Sequence, residues 1–196
     1  MSPRPAGQDE RELQRQEILA AFEARARASG PRGVVMAELA RDLGISTRTL
    51  YQHFGSKAEI VQEILGRWVA ETEADRARRA ERRLSAEAWM IDAAEGWLQG
   101  QDRFSAAFWA QIQADYPGAS SLVAEQIRKS LAATRAFLAP RVRSDLDPEL
   151  AILILREAVR GALDPKRCDR LGVSRQVAIE QSVELWCRGA LRPGSD

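Results

Sequence analysis

The chain has very little of what metal sites, disulfide frameworks and catalytic centres require. It holds one histidine and two cysteines among 196 residues, too few ligands or bases for a structural zinc site or an acid–base centre. The cysteines, Cys168 and Cys187, lack CxxC spacing, which favours two free thiols in a reducing compartment. No glycine-rich phosphate loop or activated nucleophile pattern is present either. We therefore expect no cofactor, no metal and no enzymatic activity.

Long apolar runs and a strong charge of one sign are also missing. No segment approaches the roughly 18 consecutive apolar residues that a membrane span needs. The first dozen residues are polar and charged, unlike a signal peptide. These absences predict a soluble, cytoplasmic protein with no membrane partner. Because the net charge is only +1, any nucleic-acid binding has to be argued from local residues rather than from bulk charge.

What the chain does have is helical periodicity over nearly its whole length. Alternating β-branched runs are absent, and prolines and glycines fall between the helical segments. We predict an all-α fold of about nine helices, preceded by a disordered tail over residues 1–10. The first helix is predicted over 11–29 and ends at Gly30-Pro31. Helices of the second half are predicted over residues 86–100, 103–115, 120–139, 148–163 and 175–191.

Two short helices joined by a tight turn are predicted after the first helix. Apolar residues recur from Met36 at the spacing of a short amphipathic helix. Gly44 suits a turn that needs positive φ, and Ser46 can cap a second helix that reaches about Phe54. A Ser-x-x-Glu capping box then starts a further helix over 56–70. This spacing is typical of a helix-turn-helix.

One face of the second short helix has polar residues where no apolar contact is needed. Its candidate DNA-binding residues are Thr47, Arg48, Thr49, Tyr51, Gln52 and His53. Arg48 matches the O6/N7 pair of guanine, and Lys57 lies at a helix N-terminus that attracts phosphate. The pattern leaves two alternatives open: a helical hairpin with a solvated polar face, and a histidine that merely packs beside a core phenylalanine.

This stretch resembles the DNA-binding domain of the TetR family of bacterial transcriptional repressors. The residues that carry the resemblance are Leu39-Ala40, Leu43-Gly44-Ile45-Ser46, Thr49-Leu50-Tyr51, His53-Phe54 and Lys57. It extends over residues 12–68 and implies an Ω-shaped, nine-helix homodimer that binds double-stranded DNA at a palindromic operator. The tyrosine, histidine and lysine of such proteins hold the DNA backbone, which implies these roles for Tyr51, His53 and Lys57. One departure is Val34-Val35-Met36, where the family usually has a capping Ser or Thr.

The domain boundaries follow from these elements. We predict a helix-turn-helix domain over 11–57, a linking helix over 56–70, and a helical regulatory and dimerisation domain over 58–196. The resemblance implies that the last of these encloses a cavity for a small, largely apolar effector that releases DNA. By residue type alone, its aromatic residues suit a packed core at least as well. The candidate ligand-binding residues are Trp89, Trp97, Phe104, Phe108, Trp109 and Ile112.

Residues 150–155 are apolar on every side of a predicted helix, so this helix needs a neighbour on two faces. The resemblance implies that it forms a dimer interface with the last helix, and the candidate interface residues are Leu153, Val183 and Trp186. A different class of function also fits the sequence. The helix-turn-helix would then be a protein-interaction or structural module without operator binding, which the neutral pI slightly favours.

Overall fold

The computed structural model describes residues 6–193, and within them the chain is all-α, with ten α-helices and no β-strand. The predicted fold class is confirmed. Two short 3₁₀ turns, Pro31–Gly33 and Ala139–Arg141, join helices. The helices are α1 Ala6–Ser29, α2 Met36–Asp42, α3 Thr47–His53, α4 Lys57–Glu81, α5 Ala86–Asp102, α6 Ala106–Asp115, α7 Pro117–Leu138, α8 Pro148–Leu163, α9 Pro165–Leu171 and α10 Arg175–Ala190.

Two helices, α1 and α9, differ from the predicted set. Residues 1–5 of the predicted tail lie outside the described residues, whereas α1 is already helical from Ala6. Helix α9 is an addition to the predicted set. Its first turn is held by the Asp164 carboxylate, which accepts from the backbone N–H of Lys166 at 3.0 Å, and by Pro165 at the first helical position.

Helix α4 is longer than the predicted 56–70 and continues into the charged segment that begins at Glu71. Charge pairs one turn apart, such as Arg78 with Asp75, stabilise this exposed stretch as a helix. The helix ends at Glu81. Within the described residues, no helix has the length and apolar character needed to cross a bilayer.

The chain forms two compact units, and α4, α5 and α7 each contribute to both. The N-terminal unit comprises Met1–Ala70 and Gln101–Ala124. Its core is built from the apolar faces of α1 to α4 together with α6 and the start of α7. The largest fully buried side chains there are Phe22, Phe54, Phe108, Ile18, Leu19, Leu39, Leu50, Ile60, Ile64 and Leu65.

The C-terminal unit comprises Glu71–Gly100 and Glu125–Asp196. Here α8 packs against α10. Helix α8 begins where the sequence predicts, because Asp147 caps it by accepting from the backbone N–H of Leu150 at 2.8 Å and Pro148 occupies its first position. The core of this unit includes Leu138, Ile179, Val183 and Trp186.

Candidate nucleic-acid interface

The turn between α2 and α3 has the geometry that the sequence predicts. Gly44 adopts φ +67°, a left-handed conformation that favours glycine. The backbone N–H of Ile45 donates to the carbonyl of Ala40 at 3.0 Å and closes the turn. Ser46 caps α3, because its hydroxyl accepts from the backbone N–H of Thr49 at 2.9 Å. The two helices therefore form a helix-turn-helix.

The start of α2 shows the predicted departure from the family pattern. Val35 occupies the N-cap position in an extended conformation, with φ −87° and ψ 115°, and no side chain caps the helix. Val35 is half exposed, whereas its neighbour Val34 is buried. The first backbone amides of α2 therefore lack the hydroxyl partner that a Ser or Thr would provide.

Helix α3 separates an apolar face from a polar one. Leu50 and, just beyond the helix, Phe54 are fully buried in the N-terminal core. Burial of these two side chains turns the opposite face outwards. The predicted residues on that face are Thr47, Arg48, Tyr51 and Gln52, all of them exposed. Thr49 is partly buried, and its hydroxyl lies 2.8 Å from that of Ser46.

His53 lies at the end of α3 and is tied to α1. Its Nε2 lies 2.7 Å from Oε1 of Gln14, a geometry in which the imidazole N–H donates to the amide oxygen. Burial is the main cause that lowers the pKa of His53 from its ordinary value, and the charges of Arg11 and Arg15 lower it further. The imidazole is therefore neutral at pH 7 in the protein without DNA.

Arg15 on α1 fixes the end of α3, a role that sequence reasoning missed. Its guanidinium donates to the backbone carbonyl of His53 at 2.5 Å and forms an ion pair with Glu63 of α4. It also lies 4.1 Å from the centre of the Phe54 ring, a cation–π arrangement. Helical spacing on α1 could not reveal these partners, because they come from α3 and α4.

Lys57 begins α4, as predicted, but its ammonium already has a protein partner. Nζ donates to the carbonyl of Pro31 at 3.0 Å, and burial lowers the pKa of this lysine. The predicted capping box is only half formed. Ser56 accepts from the backbone N–H of Glu59 at 3.2 Å, while the Glu59 carboxylate accepts from Gly55 instead of Ser56.

A groove of about 550 Å³ runs beside the polar face of α3. Residues of α3 form one wall and residues near the start of α1 form the other; they are Glu10, Arg11, Gln14, Thr49, Gln52 and His53. A smaller adjoining hollow of about 170 Å³ includes Arg15. The structure thus adds Arg11 and Gln14 to the predicted site, residues that only the packing of α1 beside α3 brings there.

The six predicted ligand-binding residues do not surround one cavity. Phe104, Phe108 and Ile112 are buried in the core of the N-terminal unit and Trp109 packs against that core, while their contact with a ligand stays a prediction. Phe104 stacks on Phe108 at a ring distance of 4.0 Å, and Trp109 meets Trp68 at 5.6 Å. Their apolar surface is used in packing helices α4 and α6 together.

The other two predicted ligand-binding residues, Trp89 and Trp97, lie in the C-terminal unit. Trp89 is buried and stacks on Phe137 of α7, with ring centres 4.3 Å apart. Trp97, on the same helix as Trp89, is partly buried. Contact of these two side chains with a ligand likewise stays a prediction.

The predicted interface residues also differ in their surroundings. Leu153 is 46% exposed, as an unpartnered interface residue should be. Val183 is fully buried, and Trp186 is buried with its Nε1 donating to the carbonyl of Ala151 at 2.7 Å. These two side chains hold α10 against α8 within the same chain, and their assignment to a dimer interface stays a prediction. The other large apolar residues that α8 and α10 expose are Leu150, Ile154, Val177 and Leu185.

Comparison with known proteins places the site in a family. Residues 18–64 match the profile of the family described as "Bacterial regulatory proteins, tetR family". This range contains all of α2 and α3 and the first part of α4. No functionally curated protein matches the chain by sequence.

Solved structures match nearly the whole chain. A transcriptional regulator from Rhodococcus sp. Rha1 has a TM-score of 0.70 at 18% identity, covering 91% of this chain and 99% of its own. NalD of Pseudomonas aeruginosa, the secondary repressor of the MexAB-OprM multidrug efflux pump, has a TM-score of 0.59 at 19% identity, covering 92% and 98%. The ketosteroid transcriptional regulator KstR2 of Mycobacterium tuberculosis has a TM-score of 0.56 at 18% identity, covering 94% and 96%.

At these identities the solved structures establish the fold, while the match at residues 18–64 concerns the helix-turn-helix itself. The two findings agree with the geometry of α2 and α3, including the capped recognition helix and its outward polar face. The helix-turn-helix at residues 18–64 is therefore similar to that of the TetR family of bacterial regulatory proteins, and the chain shares its fold with solved transcriptional regulators.

Proposed function

We propose that this protein is a DNA-binding transcriptional repressor that reads the major groove with α3. The observation that carries the proposal is the exposed polar face of α3, held outward by the fully buried Leu50 and Phe54. Arg48 and Gln52 have side chains suited to base edges, where an arginine fork matches guanine and an amide matches adenine. Thr47 and Thr49 supply hydroxyls beside them, near the start of the helix, for phosphate or base contact.

In this proposal, a second set of residues contacts the DNA backbone. Tyr51, His53 and Lys57 contact phosphates, and Arg11 extends this surface along the groove beside α1. The Lys57 ammonium exchanges its bond with the Pro31 carbonyl for a phosphate oxygen, or bridges the two, since an ammonium has three donors. These contacts position α3 without reading sequence.

The protein acts as a homodimer at a palindromic site. Support comes from α8 and α10, which expose large apolar side chains on the outside of the C-terminal unit. Leu150 and Ile154 are each 56% exposed, and Leu185 is 71% exposed. A two-fold pairing through this surface buries the apolar side chains of both copies and presents two copies of α3 to two half-sites.

A small molecule releases the DNA in this proposal, and the protein works in the cytoplasm. The helix-turn-helix domain then extends over 11–57, the linking helix over 56–70 and the regulatory and dimerisation domain over 58–196. The names of two structural neighbours, a repressor of a multidrug efflux pump and a ketosteroid regulator, support control by a lipophilic compound. Trp89 and Trp97 provide aromatic surface in the C-terminal unit for contact with such a compound.

Filter binding of the full-length protein to sheared genomic DNA tests this function. The wild type should retain DNA in a salt-dependent manner, and Arg48→Glu should abolish retention. The matched control is Arg128→Glu, which makes the same charge change at an exposed arginine of α7. If the wild type retains no DNA, or if both variants lose retention equally, the helix-turn-helix is better explained as a protein-interaction module.

A further inference from the structure

Gln111 of α6 binds the backbone of the segment that links α1 to α2. Its side-chain Nε2 donates to the carbonyl of Ser29 at 3.0 Å, and its Oε1 accepts from the backbone N–H of Arg32 at 2.8 Å. Ser29 is the last residue of α1. Backbone groups at or beyond the end of a helix need partners from elsewhere, and here one side-chain amide supplies both of them.

The segment at residues 29–32 fits closely against α6. Gly30 is buried and adopts φ +80°, a left-handed conformation that favours glycine. A Cβ atom at this position would lie 2.5 Å from the carboxamide of Gln111, so only glycine allows the amide to approach the backbone here. Arg32 adds a second attachment, because its guanidinium donates to both carboxylate oxygens of Asp115 at 2.6 and 2.8 Å. The path of the segment is therefore set by α6.

Pro31 lies between the two backbone groups that Gln111 binds, and its carbonyl is the partner of Lys57. Pro31 is buried. Its carbonyl oxygen accepts from the backbone N–H of Val34 at 3.1 Å and from Nζ of Lys57 at 3.0 Å. These two bonds use both lone pairs of the oxygen. Gln111 thus holds the backbone on either side of the atom to which the Lys57 ammonium is bound.

An ammonium that is already held in place loses less freedom when it binds a phosphate. A lysine side chain has many rotamers, and immobilising such a side chain at an interface reduces affinity. The bond with Pro31 restricts the side chain of Lys57 before DNA arrives. It uses one of the three N–H donors of the ammonium and leaves two for phosphate oxygens. The position of the Pro31 carbonyl therefore bears on how tightly Lys57 can bind DNA.

We propose that Gln111 is a positioning residue for the phosphate contact of Lys57. Its amide holds residues 29–32 so that the Pro31 carbonyl keeps the ammonium in place for the DNA backbone. Gln111 acts through this backbone segment rather than on the DNA. This inference rests on the proposed function, in which Lys57 contacts phosphate. A role of Gln111 in packing α6 against α1 alone would instead weaken DNA binding whether or not Lys57 is present.

The first test needs no DNA. Gln111→Met keeps the length of the side chain and removes both hydrogen bonds, so hydrogen exchange of the Arg32 backbone amide, followed by NMR, should become severalfold faster. Exchange of the Leu50 amide, which donates to Ser46 at 3.0 Å, should not change. An unchanged rate at Arg32 would overturn the proposal. If Leu50 also loses protection, Gln111→Asn, whose amide is one methylene shorter, replaces Gln111→Met in both tests.

The second test is a double-mutant cycle on the full-length protein. Fluorescence anisotropy measures affinity for a labelled pool of random-sequence duplexes, because phosphate contacts are the same for every sequence. In the wild-type background, Gln111→Met should weaken binding about tenfold, or about threefold from each subunit of a dimer. In the Lys57→Met background it should produce no further loss. Gln113→Met is the matched control, because Gln113 is exposed on the same helix, and it should leave affinity unchanged in both backgrounds.

Two results of the cycle would overturn the proposal and leave the proposed function intact. Equal losses in the two backgrounds would show that Gln111 acts independently of Lys57. Unchanged affinity of Gln111→Met in the wild-type background, with faster exchange at Arg32, would show that the phosphate contact does not depend on this segment. A wild type that binds no duplex at all would contradict the proposed function itself, and the positioning role of Gln111 with it.

Discussion

Arg48 and Lys57 differ in how each cation is held, and this difference determines what each can do at the DNA. Arg48 is exposed on α3, free to extend its planar fork towards base edges. Lys57 is partly buried, with its ammonium on the Pro31 carbonyl. A point charge anchored at a helix start suits a phosphate, which is the same for every sequence.

We predict that alanine at these two positions produces different losses. Arg48→Ala should cost about 1–3 kcal/mol at one base pair of each half-site and relax the preference there. Lys57→Ala should weaken all sequences alike and reduce the salt dependence of binding by about one phosphate per subunit. Affinities across a randomised site library measure both. The same uniform loss for both variants would contradict this division of roles.

We predict that His53 makes DNA binding sensitive to pH, and the sign of the dependence follows from its pKa. The pKa of His53 is lowered in the free protein by burial and by Arg11 and Arg15, whereas a phosphate beside the ring would raise it. DNA binding then takes up a proton, so affinity should increase as pH falls from about 7 to 5.5. Since His53 is the only histidine, His53→Gln should flatten this dependence in anisotropy titrations. An identical slope in the two proteins would remove the imidazole from the phosphate contact.

The free energy of unfolding of the protein without DNA should decrease as pH falls, whereas its affinity for DNA should increase. A depressed folded-state pKa means that the unfolded chain binds the proton more readily. The contribution of His53 to the free energy of unfolding therefore decreases as pH falls below its ordinary pKa of 6.5. Urea unfolding of the wild type and His53→Gln at several pH values separates this effect from DNA binding.

Local signals in the sequence predicted most of the helices. Ser46 caps the helix that the sequence assigned to it, and Asp147 and Ser174 cap α8 and α10, which begin where the sequence predicts. Helix α9 was missed because seven residues give too few turns for an apolar stripe to be visible. The start of α6 was placed too early because Ser105, which accepts from Phe108, was not identified as its cap.

Helix α2 offers a test of capping energetics, because its N-cap is a valine with suitable backbone geometry. Val35→Thr should stabilise the protein by about 1 kcal/mol, since the new hydroxyl can accept from the first turn of α2 and Val35 is half exposed. Val34→Thr is the contrasting variant, because Val34 is buried and a hydroxyl there should destabilise. Chemical denaturation measures both. Equal shifts for the two variants would contradict the assignment of Val35 as the N-cap.

The sequence could identify the apolar residues of the molecule, but it could not show which of the two cores each residue joins. Phe104 and Trp109 lie close to Trp97 in the chain, yet they pack in the N-terminal unit. Val183 and Trp186 are a second example, because the sequence could not show that they pack between α8 and α10 of one chain. Helical periodicity reports which face is apolar, whereas the partner of that face is a tertiary property.

The exposed apolar surface of α8 and α10 leads to a prediction about assembly. Leu153→Asp and Leu185→Asp should each convert the dimer to monomer while helicity is retained, because a carboxylate cannot be buried unpaired in an apolar interface. Trp186→Asp should instead reduce helicity, because Trp186 is part of the core of its own chain. Sedimentation and circular dichroism distinguish these results. A dimer that survives both leucine substitutions would exclude this surface as the interface.

In the proposed function, two copies of α3 read a two-fold-symmetric DNA site. Selection of binding sites by the full-length protein from random duplex DNA, followed by hydroxyl-radical footprinting of the enriched sequence, tests it most directly. We expect an inverted repeat whose half-site centres are about one helical turn, or a multiple of it, apart and are protected together by one dimer. An asymmetric single site protected by a monomer, or no enrichment of any sequence, would contradict it.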